Sequence, residues 1–186
     1  LPAAVLRLLE ALARQGQRTL LIDAHGRHVG RAARSLFDWR QQLARGQIQA
    51  WALSGGEAWH APGIEADAPE LAALAARYDC LVFDRPLEAG GAAVRPAAGQ
   101  TLVLDVAQPV LQPAYRLLKT LAHHGCDADI HLLGEAAACA RLVDACRQFL
   151  GASHAQKIGS LAHETDAFAV LASRMAGEET GPRAVA

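Results

Sequence analysis

The sequence predicts an α/β fold: a mostly parallel, doubly wound sheet flanked by helices on both faces. Short apolar runs alternate along the chain with segments whose apolar residues recur at helical spacing. Continuously apolar strands are typical of a parallel sheet covered on both faces and joined by right-handed crossovers. Two of the runs end in an acid, Asp23 and Asp84, and ligands bind at the carboxyl ends of such strands. We therefore expect these two acids to lie near each other at one edge of the sheet.

The predicted strands are short apolar runs bounded by turn-forming or charged residues. They cover residues 18–23, 58–60, 80–84, 101–106, 130–133 and 157–161. Gly55-Gly56 and Pro62-Gly63 are predicted turns, and the stretch 88–99, rich in Gly, Ala and Pro, is a predicted loop.

The predicted helices are segments in which apolar side chains recur every three or four residues. They cover residues 5–12, 31–45, 69–77, 110–121, 139–149 and 164–176. Glycine follows several of them, at Gly16, Gly46, Gly125 and Gly151, because it adopts the left-handed conformation that ends a helix. Pro69 begins the third helix, since proline is tolerated in a first turn.

Composition and charge narrow the class of protein. The chain has 186 residues, with a net charge of -1. We expect one domain over residues 1–176, a mobile tail over 177–186, and no global attraction to nucleic acid or an anionic membrane. The four cysteines form no CxxC pair and lie in apolar segments, which predicts reduced thiols and a cytoplasmic protein. No apolar run is long enough to span a bilayer, and no signal peptide is expected.

Several polar residues are candidates for a metal or catalytic site. Asp23, His25 and His28 lie on one predicted loop, but zinc needs a more complete ligand set, so solvated histidines are the expected arrangement. Asp23, His25 and Asp84 are also the elements of an acid–base site. No nucleophile motif accompanies them, so the sequence predicts no catalytic residue and no metal site.

The three tryptophans offer a different kind of site. Trp39, Trp51 and Trp59 fall close together in the sequence. Tryptophan is enriched in binding hot spots, so the three are a candidate partner surface. Packing in the core is the more frequent arrangement for any one of them.

An ordered set of segments resembles one family over nearly the whole chain. Residues 11–24 resemble the segment after the P-loop in MinD/ParA-family ATPases, and residues 78–86 resemble that family's second acidic strand. Residues 108–119, where a Gln-Pro pair leads into an Ala-Tyr-Arg-Leu-Leu-Lys helix, resemble the branch of the flagellar-number regulators (FlhG/FleN). So do the segments 149–151 and 158–161. The resemblance implies a SIMIBI-class P-loop fold in which ATP binds between two subunits.

The chain departs from this family where the resemblance implies a nucleotide site. The phosphate-binding Lys-Thr-Thr falls near Leu1-Pro2-Ala3 by the family's spacing. His25 stands where a second acid is usual, and Gly134 stands where an asparagine approaches the base. Two further positions near the base are replaced, by Ala162 and Glu164.

What remains of the implied pocket is a remnant formed by Asp23, His25, Asp84 and Pro86. The lone acids are expected to serve as caps or turn formers. The last helix carries Phe168 but little positive charge, so it is expected to pack on the domain without stable membrane insertion.

The resemblance and its departures together predict a degenerate MinD/FlhG-like regulator. It is expected to bind no cofactor, to hydrolyse no ATP, and to act through protein–protein binding in the control of flagellar assembly or number. The implied partners are a flagellar regulator and a MinD-like or SRP-type GTPase, and the oligomeric state stays open. Two alternatives also stay open: an active MinD/ParA-type ATPase whose P-loop lies upstream of this chain, and a MinD-like accessory protein of cellulose secretion or cell division.

Overall fold

The computed structural model describes residues 2–65, 68–84, 101–106, 111–126, 128–162 and 167–177. In chain order its elements are α1 (Pro2–Arg14), β1 (Thr19–Asp23), α2 (Leu36–Ala44), β2 (Ala50–Leu53), β3 (Gly56–His60), α3 (Pro69–Ala75), β4 (Cys80–Asp84), β5 (Thr101–Val106), α4 (Leu111–His123), β6 (Asp129–Gly134), α5 (Ala136–Leu150), α6 (Ala152–Ala155), β7 (Ile158–Ala162) and α7 (Ala167–Met175). They fall into two compact units, one with α1 to β4 and α7, the other with β5 to β7 and the helices between them.

The first unit contains a four-stranded sheet in the order β2-β3-β1-β4. Strand β1 pairs in parallel with β3 and β4, and β2 adds an antiparallel strand to β3. Leu20 and Ile22 pack with residues of α2 and α3, whereas Leu21 packs with Leu9 of α1. Because successive side chains of a strand point to opposite faces, helices cover both faces of this sheet.

Helix α7 packs against α1 in the same unit. The guanidinium carbon of Arg7 lies 4.4 Å from the centre of the Phe168 ring, and the Gln15 amide donates to Ser173 Oγ at 2.7 Å. Phe168 and Leu171 are buried. The predicted packing of the last helix on the domain is confirmed. Among the residues that the structure describes, no helix is long and apolar enough to cross a membrane.

The second unit contains a three-stranded parallel sheet in the order β5-β6-β7. Its core combines alternate residues of these strands with the apolar faces of α4 and α5, including Leu118, Leu121, Cys139, Leu142 and Cys146. The end of strand β6 approaches β5 so closely that a Cβ on Gly134 would lie 2.2 Å from the Val106 carbonyl oxygen. Only glycine therefore fits this position without a shift of the backbone.

The predicted fold class is confirmed: parallel strands are flanked by helices, and each predicted strand is present, with 157–161 observed as Ile158–Ala162. Strand β2 and the short helix α6 were not predicted. The helix predicted over 31–45 begins only at Leu36, because the Asp38 N–H donates to Ser35 Oγ at 3.2 Å and makes Ser35 the N-cap.

Several sequence predictions fall wholly or partly outside the described residues. They include the loop 88–99, the first residue of the helix predicted over 110–121, the first residues of the helix predicted over 164–176, and positions 178–186 of the expected tail. The expectation of a single domain over residues 1–176 stays a prediction. None of the four cysteines forms a disulfide; Cys139 and Cys146 are buried and the other two are half-buried.

Candidate functional site

Three neighbouring parallel strands of the first unit end in ionisable residues. Asp23 ends β1, and the strand register sets it beside His60 of β3 on one side and Asp84 of β4 on the other. The predicted proximity of the two acids is therefore confirmed. Histidine joins them because β3 runs parallel to β1, so the last residues of all three strands meet at one edge.

The Asp23 carboxylate organises the loop that follows β1. Its Oδ1 accepts the backbone N–H groups of His25 at 3.2 Å and Arg27 at 3.0 Å. Its Oδ2 accepts those of His28 at 2.8 Å and Val29 at 3.1 Å. Asp23 itself has no solvent exposure. Burial raises the pKa of Asp23, but the four N–H donors lower it by more, so it lies below its ordinary value.

Asp84 is held by two side chains from that same loop. Its Oδ2 lies 2.9 Å from His28 Nε2 and 3.2 Å from a terminal nitrogen of Arg27. The His28 side chain is 2% exposed, and its Nδ1 is buried with no hydrogen-bond partner. An Nε2–H that donates to the carboxylate satisfies one ring nitrogen and leaves the other as an unused acceptor. The loop therefore closes over β4 through a charged and hydrogen-bonded contact.

His60 lies at the other side of the row, under the loop. It is 4% exposed, and its Nδ1 is also buried without a partner. Burial lowers the pKa of His60; the Asp23 carboxylate opposes this shift, and the nearby Arg31 guanidinium adds to it, leaving the pKa below its ordinary value. The ring is therefore neutral at physiological pH, with one nitrogen available as a donor and the other as an acceptor.

The structure brings together only part of the predicted remnant pocket. Asp23 and Asp84 are neighbours, whereas His25 is exposed and contributes only its backbone N–H to the loop. Pro86 lies outside the described residues. The expectation that His28 is a solvated loop residue was wrong, because Asp84 draws its ring into a buried contact.

Arg27, Arg31 and His60 were not singled out from the sequence. A signal for the loop was present, since an aspartate before a glycine-containing polar segment commonly accepts local backbone N–H groups. A signal for His60 was also present, because it ends a predicted strand as the two acids do. The pairing of each loop side chain is set by tertiary contacts, which the sequence does not encode locally.

The three tryptophans do not form one exposed surface. Trp39 is 1% exposed and Trp59 is 5% exposed, and both belong to the core of the first unit. Trp51 is half-buried on β2, where its indole lies 3.6 Å from the position of a Cβ on Gly30. Two of the three candidates are thus core residues, and the third packs against the loop after β1.

The polar side chains at this edge also bear on metal binding. Within the described ranges, no group of three or more His, Cys, Asp or Glu side chains is arranged to hold a metal ion. The same edge instead combines two engaged carboxylates with the guanidinium groups of Arg27 and Arg31. The formal charges of these four groups cancel, so this edge has no net negative charge to attract a metal cation.

Comparison with solved structures shows which known fold this chain resembles. A chain of the MinC:MinD cell division protein complex from Aquifex aeolicus matches with a TM-score of 0.52 and 18% identity, covering 96% of this chain and 91% of that chain. The MinD cell division protein from Aquifex aeolicus matches with a TM-score of 0.48 and 16% identity, covering 93% of this chain and 79% of that chain. No family model and no curated protein matches the sequence. The chain therefore has a MinD-like α/β fold.

Proposed function

We propose that this chain is a non-hydrolysing regulatory protein that acts by binding another protein. The observation that carries the proposal is the engagement of both acids at the ends of β1 and β4. Each oxygen of Asp23 accepts two backbone N–H groups. Asp84 contacts the side chains of Arg27 and His28. All the lone-pair sites of Asp23 are used, and one oxygen of Asp84 is held by two cationic or N–H-bearing side chains, which opposes the binding of a nucleotide-bound cation.

The chemistry of magnesium explains why this engagement matters. In the ATPases that the sequence resembles, acids at the positions of Asp23 and Asp84 are linked to magnesium, and the acid at the position of His25 helps to place the attacking water. Magnesium requires oxygen ligands in near-octahedral geometry and keeps several of its waters. A carboxylate offers about four lone-pair sites, and Asp23 already accepts four hydrogen bonds. The guanidinium beside Asp84 repels a cation, so the donors at this edge do not fit a magnesium ion.

The end of β6 supports the same proposal independently. The resemblance aligns Gly134 with an asparagine that approaches the nucleotide base. A Cβ there would lie 2.2 Å from the Val106 carbonyl oxygen, far closer than a carbon and an oxygen can approach. An asparagine therefore does not fit unless the two strands separate. The spacing of the β5 and β6 backbones in the second unit therefore excludes the family's asparagine side chain.

The proposed partner is a protein of the cytoplasm. The structural match to a chain of the MinC:MinD complex supports a fold that serves protein binding. Residues 108–119 and 149–151 carry the resemblance to flagellar-number regulators, so we propose control of flagellar assembly or number through a flagellar regulator or a MinD-like or SRP-type GTPase. Four cysteines that form no disulfide support a reducing compartment.

Calorimetry on the full product of the gene tests the absence of nucleotide chemistry. ATP is titrated with and without magnesium, beside an Asp84→Asn variant, and phosphate release is measured in parallel. We expect no magnesium-dependent binding up to about 1 mM ATP and the same result for both proteins. Micromolar, magnesium-dependent binding that Asp84→Asn abolishes would overturn the proposal and favour an active ATPase with an upstream P-loop.

A separate experiment tests the flagellar assignment. The gene is deleted in the source organism and flagella are counted, while the purified protein is tested for binding to the SRP-type GTPase and to flagellar regulators. We expect an altered number and an affinity near the micromolar range. Unchanged flagella together with binding to a component of cellulose secretion or cell division would replace the flagellar assignment with that alternative.

A further inference from the structure

Strand β2 lies at one end of the four-stranded sheet in the first unit. Among the described residues it pairs only with β3, so the backbone N–H and C=O groups on its outer side have no strand beside them. Its side chains alternate, with Ala50 and Ala52 exposed and Trp51 and Leu53 half-buried. An unpaired outer edge of this kind is a template to which a further strand adds through main-chain hydrogen bonds.

The sequence leaves this edge without the charges that usually protect an edge strand. Proteins keep such strands from pairing by placing charged side chains or proline on them. Residues 46–56, which include the whole of β2, contain neither. The other strands at the ends of the two sheets differ, since Asp84 lies in β4, Asp105 lies in β5, and Lys157 directly precedes β7. Within the described strands, β2 is therefore the end strand with the least protection from charge.

We propose that β2 pairs antiparallel with β2 of a second copy of this chain, so that the two sheets join edge to edge. A twofold axis relates two identical edges, and the assembly then closes at two copies. Because the strand is uncharged, this pairing sets no like charges opposite each other. Directly opposite residues share a face of the sheet, so exposed alanines lie beside alanines and the half-buried Trp51 and Leu53 lie beside their counterparts.

The pairing uses only the chain's own backbone and apolar side chains. It needs no nucleotide, so it differs from the ATP-dependent pairing that the family resemblance implies and is independent of the proposed function. The edge is short, since β2 has four residues. An interface of this size is typical of weak, reversible association, and we expect a dissociation constant of about 100 µM.

Sedimentation velocity of the full chain without nucleotide, over about 5–500 µM, provides the test. A double variant, Ala50→Lys with Ala52→Lys, places cations on the pairing edge. Position 52 lies opposite Glu57 of β3, so a lysine there meets an opposite charge within its own chain and the fold is retained. Ala137→Lys with Ala140→Lys, at two exposed positions of α5, is the matched control because it changes the net charge equally and lies away from β2.

We expect a concentration-dependent dimer that the control variant retains. The β2 variant should weaken it by about tenfold or more, because its lysines then lie beside those of the second copy. Amide exchange followed by NMR tests the location in the unmodified chain. The amides of residues 50–53 that do not donate to β3 should exchange more slowly as the protein concentration rises.

Three results overturn the proposal. The first is a monomer at every concentration up to about 500 µM. The second is a dimer that both double variants weaken equally, or one in which the exchange of the β2 amides is independent of concentration. The third is protection of the β2 amides by another protein and not by a second copy, which assigns the edge to that partner.

Discussion

Replacing Asp23 should destabilise the loop after β1 in proportion to the hydrogen bonds that each variant loses. Each carboxylate oxygen accepts two backbone N–H groups, and the residue has no solvent exposure. Asparagine retains one acceptor oxygen with two lone pairs and so keeps two of the four bonds at best. At a net value of about 1 kcal/mol per bond, Asp23→Asn should cost about 2 kcal/mol and Asp23→Ala about 4 kcal/mol.

Urea unfolding measures the cost to the stability of the whole fold, and amide hydrogen exchange measures the cost to the loop itself. We expect the midpoint to fall in the order wild type, Asp23→Asn, Asp23→Ala. Protection should be lost first at the amides of His25, Arg27, His28 and Val29, because they donate to the missing oxygens. Loss of protection without a change in midpoint means that the loop opens locally and leaves the sheet intact.

Asp144→Ala is the matched control for removing an aspartate. Asp144 is 69% exposed and pairs with Arg147 on the helix surface, so its removal should change stability by less than about 0.5 kcal/mol. If Asp23→Asn and Asp23→Ala both fall within that range and retain amide protection, the inference that Asp23 organises the loop is refuted.

The dependence of stability on pH provides a second check. The pKa of Asp23 is lowered in the folded state, so its contribution is present above the unfolded pKa and is lost as pH falls through the folded pKa.

Three further outcomes follow from other contacts. Gly134→Ala should cost about 2 kcal/mol or more in urea unfolding because its Cβ meets the β5 backbone, whereas Gly30→Ala, with no atom nearer than 3.6 Å, should be nearly neutral. Hydrogen bonds from the Arg18 side chain and backbone hold the pKa of Asp79 at about 2, so Arg18→Gln should raise it toward its ordinary value in a carboxyl NMR titration; an unchanged pKa contradicts this. Burial raises the pKa of Cys146 to about 11, so iodoacetamide should modify it about a hundredfold more slowly in the folded protein than in urea, and equal rates would contradict the burial.

The sequence predicted the strands well where a continuous apolar run was long enough to stand out. β1 and β4 are such runs, and their final acids lie side by side as expected. β2 was missed because it has only four residues and its side chains alternate between exposed and half-buried. An antiparallel edge strand of that length is defined by its pairing with β3, a contact that local pattern does not reveal.

The start of α2 was predictable in principle. Ser35 and Asp38 have the spacing of an N-cap and its third helical residue, and the Asp38 N–H donates to Ser35 Oγ. The Asp38 carboxylate accepts in return from the N–H of Arg34, one residue before the N-cap. The candidate site could be predicted from the sequence only in part. The position of Asp23 followed from the strand pattern, but the buried ring of His28 depends on its contact with Asp84, 56 positions further along the chain.

The loop after β1 explains why a single substitution would not restore a nucleotide site. Changing His25 to the acid usual in the family would add a carboxylate at an exposed position. Asp84 would still contact Arg27 and His28, and Asp23 would still accept its four N–H groups. The acids at the ends of β1 and β4, in a position that faces a ligand in open α/β sheets, are here engaged by one segment of the chain itself. On the proposed function, selection acts on the closed loop and its exposed arginines, and residues that contact a partner should be sought there before the strand ends beneath it.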